Sequence, residues 1–246
     1  MAERIALVTG GMGGLGEAIC MKLEKMGIKV VVTYSPGNTK YKEWLKEMEG
    51  QGHKFHAYPC DVSDFESCSK MVQAVTGGIG PIDILINNAG ITRDGMFRKM
   101  SRADWDAVIE TNLTSLFNVT KQVVPGMVDK GWGRIINISS VNGEKGQIGQ
   151  TNYSAAKAGM HGFTMALAQE VANKGVTVNT VSPGYIATDM VKAIRQDVLD
   201  KIVAGIPVKR LGTPDDIASI VSWVASDESG FATGADFSVN GGLHMG

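Results

Sequence analysis

Seven short apolar runs rich in β-branched residues recur along the chain. They are RIALVTG, IKVVVTY, HKFHAYPCDV, IDILINNAG, GRIINISS, VTVNTVSPG and ADFSVNGG. Longer helix-like segments separate several of them, among them GEAICMKLEKMG, TKYKEWLKEMEGQG and the continuous stretch SRADWDAVIETNLTSLFNVTKQVVPGMVDK. Strands that alternate with helices form right-handed crossovers and a parallel sheet covered on both faces. The sequence therefore predicts an α/β, doubly wound Rossmann fold of about seven strands with helices on both faces.

The composition limits the class of protein. Hydrophobic residues make up 43% of the 246 residues and charged residues 20%, the balance of a soluble globular protein, and the unbroken pattern predicts one domain over residues 1–246. The net charge of −1 gives no electrostatic basis for binding nucleic acid or a membrane. No charged leader or run of about 18 apolar residues occurs. The three cysteines lack metal-ligand spacing, so we expect no metal and a cytoplasmic location.

One connection is far longer than the others. The segment YIATDMVKAIRQDVLDKIVAGIPVKRLGTP separates the sixth strand from the next helix, where about 2–6 residues are usual. Long connections at the carboxyl ends of parallel strands often cover a ligand. We expect a substrate lid at about residues 185–212; a surface amphipathic hairpin is the alternative.

A glycine-rich loop follows the first strand and opens a helix. In TGGMGGLG, Gly11, Gly13 and Gly16 fit the G-x-G-x-x-G spacing, while Gly10, Gly14 and Gly16 fit a related one. Such a loop lets the backbone approach a pyrophosphate, whose charge the helix N-terminus stabilises. The strand–loop–helix context favours a dinucleotide site over a structural turn.

The end of the second strand indicates which dinucleotide binds. NAD sites usually carry a carboxylate there, yet TYSPGNTKYKEW has none before Glu43. The residues that can contact a 2′-phosphate are Tyr34, Ser35, Asn38, Thr39 and Lys40. We therefore expect NADPH in preference to NADH, although Lys40 could be a solvated surface lysine.

Two further segments end strands of the predicted sheet. Asp61 and Val62 follow the third strand, where a carboxylate could meet the adenine amino group. The motif NNAG, residues 87–90, ends the fourth strand, and its glycine permits a close approach of the backbone to a ligand. Both positions favour cofactor contacts over plain turns.

Tyr153 and Lys157 stand four residues apart in TNYSAAKAG, on one face of a predicted helix of small residues. Ser140 ends the strand GRIINISS and Asn112 lies in the middle of a predicted helix. Reduction of a ketone needs a proton on oxygen, and a neighbouring ammonium is expected to lower the phenol pKa from about 10. A serine hydroxyl can stabilise the developing oxyanion.

These motifs, in this order, resemble the short-chain dehydrogenase/reductase family along the whole chain. The resemblance rests on the glycine loop, NNAG, Asn112, Ser140, YSAAK and the PG at 183–184. It implies that Tyr153 is the general acid, that Ser140 orients the carbonyl, and that Lys157 binds the nicotinamide ribose and tunes the tyrosine. It also implies that Asn112 supports a water-linked proton relay.

Within the family, NAGITRDGMFRKM, SSVNGEKGQIGQTNYSAAKAG and NGGLHMG are similar to reductases of acetoacetyl-CoA in polyhydroxybutyrate synthesis. This implies NADPH-dependent formation of (R)-3-hydroxybutyryl-CoA by a homotetramer. The alternative substrate is a 3-oxoacyl thioester of acyl carrier protein. A sugar or polyol dehydrogenase and a dinucleotide-binding regulator without catalysis are more distant alternatives.

The motifs and the resemblance together give the expected binding residues. Expected cofactor contacts are Gly10, Met12, Gly13, Gly14, Leu15, Gly16, Ser35, Lys40, Asp61, Val62, Asn88, Ala89, Gly90, Ile91, Tyr153, Lys157, Pro183, Gly184, Tyr185, Ile186 and Thr188. Expected substrate contacts are Asp94, Ser140, Gln147, Ile148, Gly149, Gln150, Tyr153, Gly184, Tyr185 and Arg195. His161 has no evident partner carboxylate, so we expect a packing or interface residue, and Ser139 is expected to be structural.

Overall fold

The computed structural model of the protein describes residues 3–188, 191 and 194–245. All seven predicted strands are present. They are Ile5–Val8 (β1), Lys29–Tyr34 (β2), Phe55–Pro59 (β3), Ile84–Asn87 (β4), Gly133–Ile138 (β5), Val176–Pro183 (β6) and Asp236–Val239 (β7). They form one sheet in the order β3-β2-β1-β4-β5-β6-β7, and every neighbouring pair is parallel. The predicted doubly wound fold is confirmed.

Helices cover both faces of the sheet. Their bounds are Gly14–Lys25 (α1), Tyr41–Gly50 (α2), Phe65–Gly78 (α3), Arg102–Ile109 (α4), Ser115–Lys130 (α5), Val141–Lys145 (α6), Thr151–Val171 (α7), Gln196–Gly205 (α8) and Pro214–Val224 (α9). Because side chains alternate along β1, Ala6 and Val8 pack with α1 and α9, whereas Ile5 and Leu7 pack with α3, α5 and α7. This burial on both faces explains why the central strands read as continuous apolar runs, whereas the edge strands β3 and β7 are only partly buried.

The strand order reverses on either side of β1, because β2 extends the sheet one way and β4 the other. Ligands of doubly wound folds bind at this point, outside the carboxyl ends of the strands. Thr9 ties the two ends together, since its hydroxyl accepts hydrogen bonds from the backbone N–H groups of Asn88 and Ala89, both at 3.0 Å. The loops that carry the predicted site therefore meet at one edge of the sheet.

The long helix predicted for residues 101–130 changes its winding in the middle. A π-helical segment, Glu110–Thr114, joins α4 to α5 without a break in the helical backbone. Asn112 lies within this segment, so its predicted position in the middle of the helix is confirmed. A single π-helical turn widens the helix locally and occurs frequently at functional sites.

The two ends of the expected lid segment, residues 185–212, are hydrogen-bonded to each other just after β6. Tyr185 O accepts from Gly212 N at 2.9 Å, and Ala187 N donates to Gly212 O at 2.8 Å. Helix α8 within this segment has no buried residue. Positions 189, 190, 192 and 193 of the predicted lid lie outside the described residues. Nowhere in the described part of the chain is a helix both long and apolar enough to cross a membrane.

Candidate active site

The glycine loop forms a cradle in which the glycines place no side chain between the backbone and a ligand. Gly13 is the N-cap of α1 with a φ of 153°, Gly14 has a φ of 53°, and no side chain caps the helix. A Cβ atom on Gly16 would lie 2.5 Å from the carbonyl oxygen of Gly10, so only glycine fits this turn. The open N–H groups at the start of α1 suit a pyrophosphate, which the helix dipole stabilises. The loop residues Met12 and Leu15 pack against the core beneath it.

The end of β2 continues into a tight exposed turn. The N–H of Asn38 donates to the carbonyl of Ser35 at 2.8 Å, and the N–H of Lys40 donates to Oδ1 of Asn38 at 2.8 Å. The rings of Tyr34 and Tyr41 stack with centroids 4.2 Å apart. The structure thus brings Ser35 and Lys40 together at the carboxyl edge, with the Lys40 side chain exposed.

The loop after β3 is held in place from two sides. Oδ1 of Asp61 accepts from the backbone N–H and hydroxyl of Ser63, at 3.0 and 2.6 Å. Nδ2 of Asn118 donates to the carbonyl of Val62 at 3.0 Å. Asp61 therefore shapes the turn on which Val62 is presented, in addition to the adenine contact expected of it.

Asn112 fixes the loop after β4. Its side-chain amide makes two hydrogen bonds with the backbone of Ile91, accepting from N–H at 2.8 Å and donating to the carbonyl at 2.9 Å. A Cβ atom on Gly90 would lie 3.2 Å from Asn112 Oδ1 and 3.7 Å from Lys157 Nζ. The NNAG motif, Asn112 and Lys157 therefore converge at one place.

Helix α7 presents Tyr153 and Lys157 on one face, with Lys157 Nζ 5.5 Å from the centroid of the tyrosine ring. Nζ of Lys157 donates to the carbonyl of Ile138 at 2.7 Å, which ties α7 to the end of β5. Ser140 follows as the N-cap of α6, and its hydroxyl accepts from the N–H of Asn142 at 3.1 Å. The predicted catalytic side chains thus lie together where β5 ends.

A close helix contact that sequence reasoning missed sets this arrangement. A Cβ atom on Gly143 would lie 2.9 Å from both Cβ and the carbonyl carbon of Lys157. Gly143 therefore lets α6 rest directly on α7, which brings Ser140 towards Tyr153. The signal in the sequence was a glycine three residues after Ser140.

Burial dominates the electrostatics of the pair. Burial lowers the pKa of Lys157 to about 7. Burial raises the pKa of Tyr153, the Ser140 hydroxyl opposes this change, and the Asp94 carboxylate adds to it. The expectation that the ammonium lowers the phenol pKa was wrong, because burial of the phenol dominates and Lys157 is itself desolvated and bonded to Ile138.

The expected substrate residues form a second linked group. Nε2 of Gln150 donates to Oδ2 of Asp94 at 2.9 Å, and Gly95 N donates to Gly149 O at 2.8 Å. Asn142, which sequence reasoning missed, donates from Nδ2 to Gln150 Oε1 at 2.9 Å. Oδ1 of Asn142 is buried without a hydrogen-bond partner among the described residues, so it can accept one from a ligand.

The other expected substrate residues have contacts of their own outside this group. Burial raises the pKa of the half-buried Tyr185, and the charge of Asp94 adds to the rise. The side chain of Gln147 accepts from Lys145 at 3.1 Å, and Ile148 is 83% exposed. Arg195 lies in the segment expected to form the lid, where its guanidinium pairs with Asp197 at 2.9 Å.

The end of β6 completes the cofactor side. Pro183 ends the strand, and a Cβ atom on Gly184 would lie 2.8 Å from Asn240 Cα. Ile186 forms an isolated bridge with Gly212. Thr188 reaches the glycine loop, since its Cγ2 would lie 3.7 Å from a Cβ atom on Gly14. The residues predicted to contact the cofactor therefore come together along one edge of the sheet.

His161 has the carboxylate partner that the sequence did not reveal. Nδ1 of His161 lies 3.6 Å from Oδ2 of Asp236, and its Nε2 lies 3.1 Å from the hydroxyl of Ser139. The expectation of no partner was wrong, because Asp236 lies 75 positions further along the chain and is brought close only by the pairing of β7 with β6.

Comparison with known proteins places this arrangement in a family. The family model described as short chain dehydrogenase matches residues 4–199. An acetoacetyl-CoA reductase of Cupriavidus necator is 69% identical over 246 residues, 100% of both chains. Nodulation protein G of Azospirillum brasilense is 59% identical over 244 residues, 99% of both chains. A 3-oxoacyl-acyl-carrier-protein reductase of Vibrio cholerae is 45% identical over 244 residues, 98% of both chains.

The match covers most of the chain and agrees with the parallel seven-stranded sheet, the glycine loop and the Tyr153–Lys157 pair at its carboxyl edge. It makes the protein an oxidoreductase of the CH–OH/C=O type, and it implies a nicotinamide cofactor, which the glycine cradle before α1 fits. The chain belongs to the short-chain dehydrogenase family.

Proposed function

We propose that the protein reduces acetoacetyl-CoA to (R)-3-hydroxybutyryl-CoA with NADPH, as a step of polyhydroxybutyrate synthesis. The observation that carries the proposal is the convergence of Ser140, Tyr153 and Lys157 beside the glycine loop. The identity of 69% over the full length with an acetoacetyl-CoA reductase supports this substrate.

Reduction of a ketone adds a hydride to carbon and a proton to oxygen, and a bound nicotinamide supplies the hydride. Tyr153 gives its phenol proton to the carbonyl oxygen, and the Ser140 hydroxyl donates a hydrogen bond to the same atom. Because burial raises the pKa of Tyr153, the phenol keeps its proton near neutral pH until the carbonyl oxygen of the substrate becomes basic. This protonation state suits an acid in the direction of reduction.

The proton lost by Tyr153 must be replaced from the protein side. Lys157, whose pKa burial lowers to about 7, can both hold and release a proton near neutral pH. Asn112 holds the Gly90–Ile91 backbone beside Lys157 Nζ. We assign these two residues to the relay that returns a proton to Tyr153.

The preference for NADPH follows from the end of β2. No carboxylate occurs between Tyr34 and Lys42, so nothing there repels a 2′-phosphate. Ser35 and Lys40 lie in the same exposed turn, where a hydroxyl and an ammonium can both bind phosphate oxygens. Asp61 and Val62 are assigned to contacts with the adenine ring of the cofactor.

The acyl group of the substrate is assigned to the cleft between Tyr153 and the Asp94–Gln150–Asn142 chain. Arg195, exposed on the lid segment, can exchange its pairing with Asp197 for a phosphate of CoA. A second candidate is reduction of 3-oxoacyl carrier protein, which the 45% identical relative of Vibrio cholerae favours.

We further propose a homotetramer in the cytoplasm. Phe117 on α5 is 53% exposed and Met165 on α7 is 52% exposed, and large apolar side chains on two helices favour a covered surface. The sulfur atoms of Cys60 and Cys68 lie 3.8 Å apart as free thiols, which agrees with a reducing compartment. Light scattering of the purified protein measures the assembly.

The reaction is tested by following NADPH oxidation with acetoacetyl-CoA. We expect Tyr153→Phe to lower kcat by about 100-fold or more, with NADPH affinity retained, because only the proton donor is lost. Tyr58→Phe, the same change on β3, is the matched control and should leave kcat unchanged. An enzyme that keeps more than about a tenth of its kcat after Tyr153→Phe does not use this residue as its acid.

A further inference from the structure

A polar cluster lies behind the catalytic residues, between the end of β5, α6, α7, β6 and β7. Its members are Ser139, Glu144, His161, Ser182, Asp236 and Ser238. The side chains of His161 and Asp236 are each 22% exposed, and Ser139 and Ser182 are buried. None of these residues touches the position assigned to the carbonyl, so the proposed reaction gives them no direct role.

The hydrogen bonds of Ser139 have a defined direction. Its hydroxyl lies 2.9 Å from the carbonyl oxygen of Lys157 and 3.1 Å from Nε2 of His161. A carbonyl can only accept, so the single hydroxyl proton goes to Lys157. Nε2 of His161 must therefore carry a proton and donate it to Ser139.

The other side of the imidazole faces a carboxylate. Nδ1 of His161 lies 3.6 Å from Oδ2 of Asp236, an ion-pair distance that is longer than a direct hydrogen bond. The Ser182 hydroxyl contacts both carboxyl oxygens of Asp236, at 2.8 and 3.0 Å, and fixes its position on β7.

Glu144 is the other ionisable group that faces Asp236. Burial raises the pKa of Asp236, and Glu144 adds to the rise. Glu144 accepts from the hydroxyl of Ser238 on β7 and lies four residues after Ser140 on α6. The strand β7 is thus connected to the chain on both sides of Ser140. Ser238 of β7 bonds to Glu144, four residues after Ser140, and Asp236 of β7 is linked through His161 to Ser139, the residue before Ser140.

We propose that His161 and Asp236 are positioning residues, which hold Ser139 on the carbonyl of Lys157 and thereby fix the neighbouring Ser140 hydroxyl relative to Tyr153. The proposal rests on the proposed carbonyl reduction. A shift of about 1 Å in a group that stabilises a transition state can cost up to about 100-fold in rate, so loss of these contacts should lower kcat. None of the hydrogen bonds described for the cluster reaches the glycine loop, so cofactor binding should be unchanged.

The test is a double-mutant cycle on kcat with acetoacetyl-CoA and NADPH. His161→Leu and Ser139→Ala should each lower kcat by about tenfold, with the Kd of NADPH unchanged within about twofold. Because both changes break the same chain, the double variant should be no more than about twofold worse than either single one. His161→Gln, which keeps a donor near Nε2, should retain at least about a third of the kcat.

His53→Leu is the matched control, because this histidine also pairs with a carboxylate, Glu24 at 2.5 Å, but lies before β3. It should not lower kcat. The proposal is overturned if His161→Leu keeps kcat within twofold, if His161→Gln is as impaired as His161→Leu, or if the two losses multiply.

Failure of the proposed function has a different outcome. A wild-type enzyme that does not reduce acetoacetyl-CoA overturns the proposed function alone. Crystal structures of wild type and His161→Leu then decide the positioning. We expect the Ser140 hydroxyl to move away from Tyr153 in the variant, and an unmoved Ser140 contradicts the proposal.

Discussion

Replacement of Lys157 by methionine should make the cofactor-free protein more stable at neutral pH. Burial lowers the pKa of Lys157 from 10.5 to about 7, so the folded protein holds the ammonium less favourably than the unfolded chain does. A basic group with this shift destabilises the fold at every pH below 10.5. The cost grows as the pH falls towards 7 and is constant below it.

The magnitude follows from the two pKa values. At pH 7 the shift from 10.5 to about 7 costs about 4 kcal/mol, and at pH 9 about 2 kcal/mol. Lys157→Met removes this cost but leaves the carbonyl of Ile138 without its hydrogen bond, a loss of about 1–3 kcal/mol. We therefore expect a net gain of about 1–3 kcal/mol at pH 7.

Urea unfolding at pH 7 and pH 9, at equal subunit concentration, measures the free energy of unfolding. From pH 7 to pH 9 this free energy should rise by about 2 kcal/mol more in the wild type than in Lys157→Met. Lys121→Met, which changes an exposed lysine of α5, is the control and should follow the wild type. If wild type and Lys157→Met show the same pH dependence, burial of Lys157 does not tune its proton affinity and Lys157 is not part of the proton relay.

Three further changes test other parts of the site. Gly143→Ala should lower kcat about tenfold and the free energy of unfolding by about 1–3 kcal/mol, because the new methyl group meets Lys157 at 2.9 Å; kinetics and urea unfolding measure both. Lys40→Ala should raise the KM for NADPH and leave that for NADH nearly unchanged in steady-state assays. Arg195→Ala should raise the KM for acetoacetyl-CoA, with little effect on a short thioester that lacks the nucleotide.

Each change has a matched control on the same element or of the same kind. Gly126→Ala places a methyl group where nothing beyond the local helix backbone lies within 4 Å and should not lower kcat. Lys46→Ala on α2 and Lys201→Ala on α8 remove a positive charge nearby and should leave the respective KM unchanged. Equal effects on NADPH and NADH, or on both thioesters, contradict the assigned contacts.

Local patterns were sufficient to predict much of this protein. The central strands follow from β-branched runs, because burial on both faces of a parallel sheet favours such residues along their whole length, whereas the edge strands β3 and β7 are only partly buried. The spacing of Tyr153 and Lys157 on one helix face also follows from sequence alone, since helix geometry relates positions four apart. The glycine loop and NNAG are likewise local features at strand ends.

Features that depend on distant contacts could not be predicted. The π-helical turn around Asn112 is stabilised by bonds to Ile91, which no periodicity in residues 101–130 reveals. The contact of His161 with Asp236 requires the pairing of β6 with β7. The direction of the Tyr153 pKa shift depends on how deeply the phenol is buried, a property of the packed structure.

The measurement that tests the account most directly is kcat/KM for acetoacetyl-CoA and for acetoacetyl carrier protein, with NADPH at saturation. We predict a higher kcat/KM for the CoA ester and (R)-3-hydroxybutyryl-CoA as its product. A carrier-protein substrate that is better by about tenfold, equivalent to about 1.4 kcal/mol of transition-state binding, would contradict the account and assign the enzyme to fatty-acid synthesis.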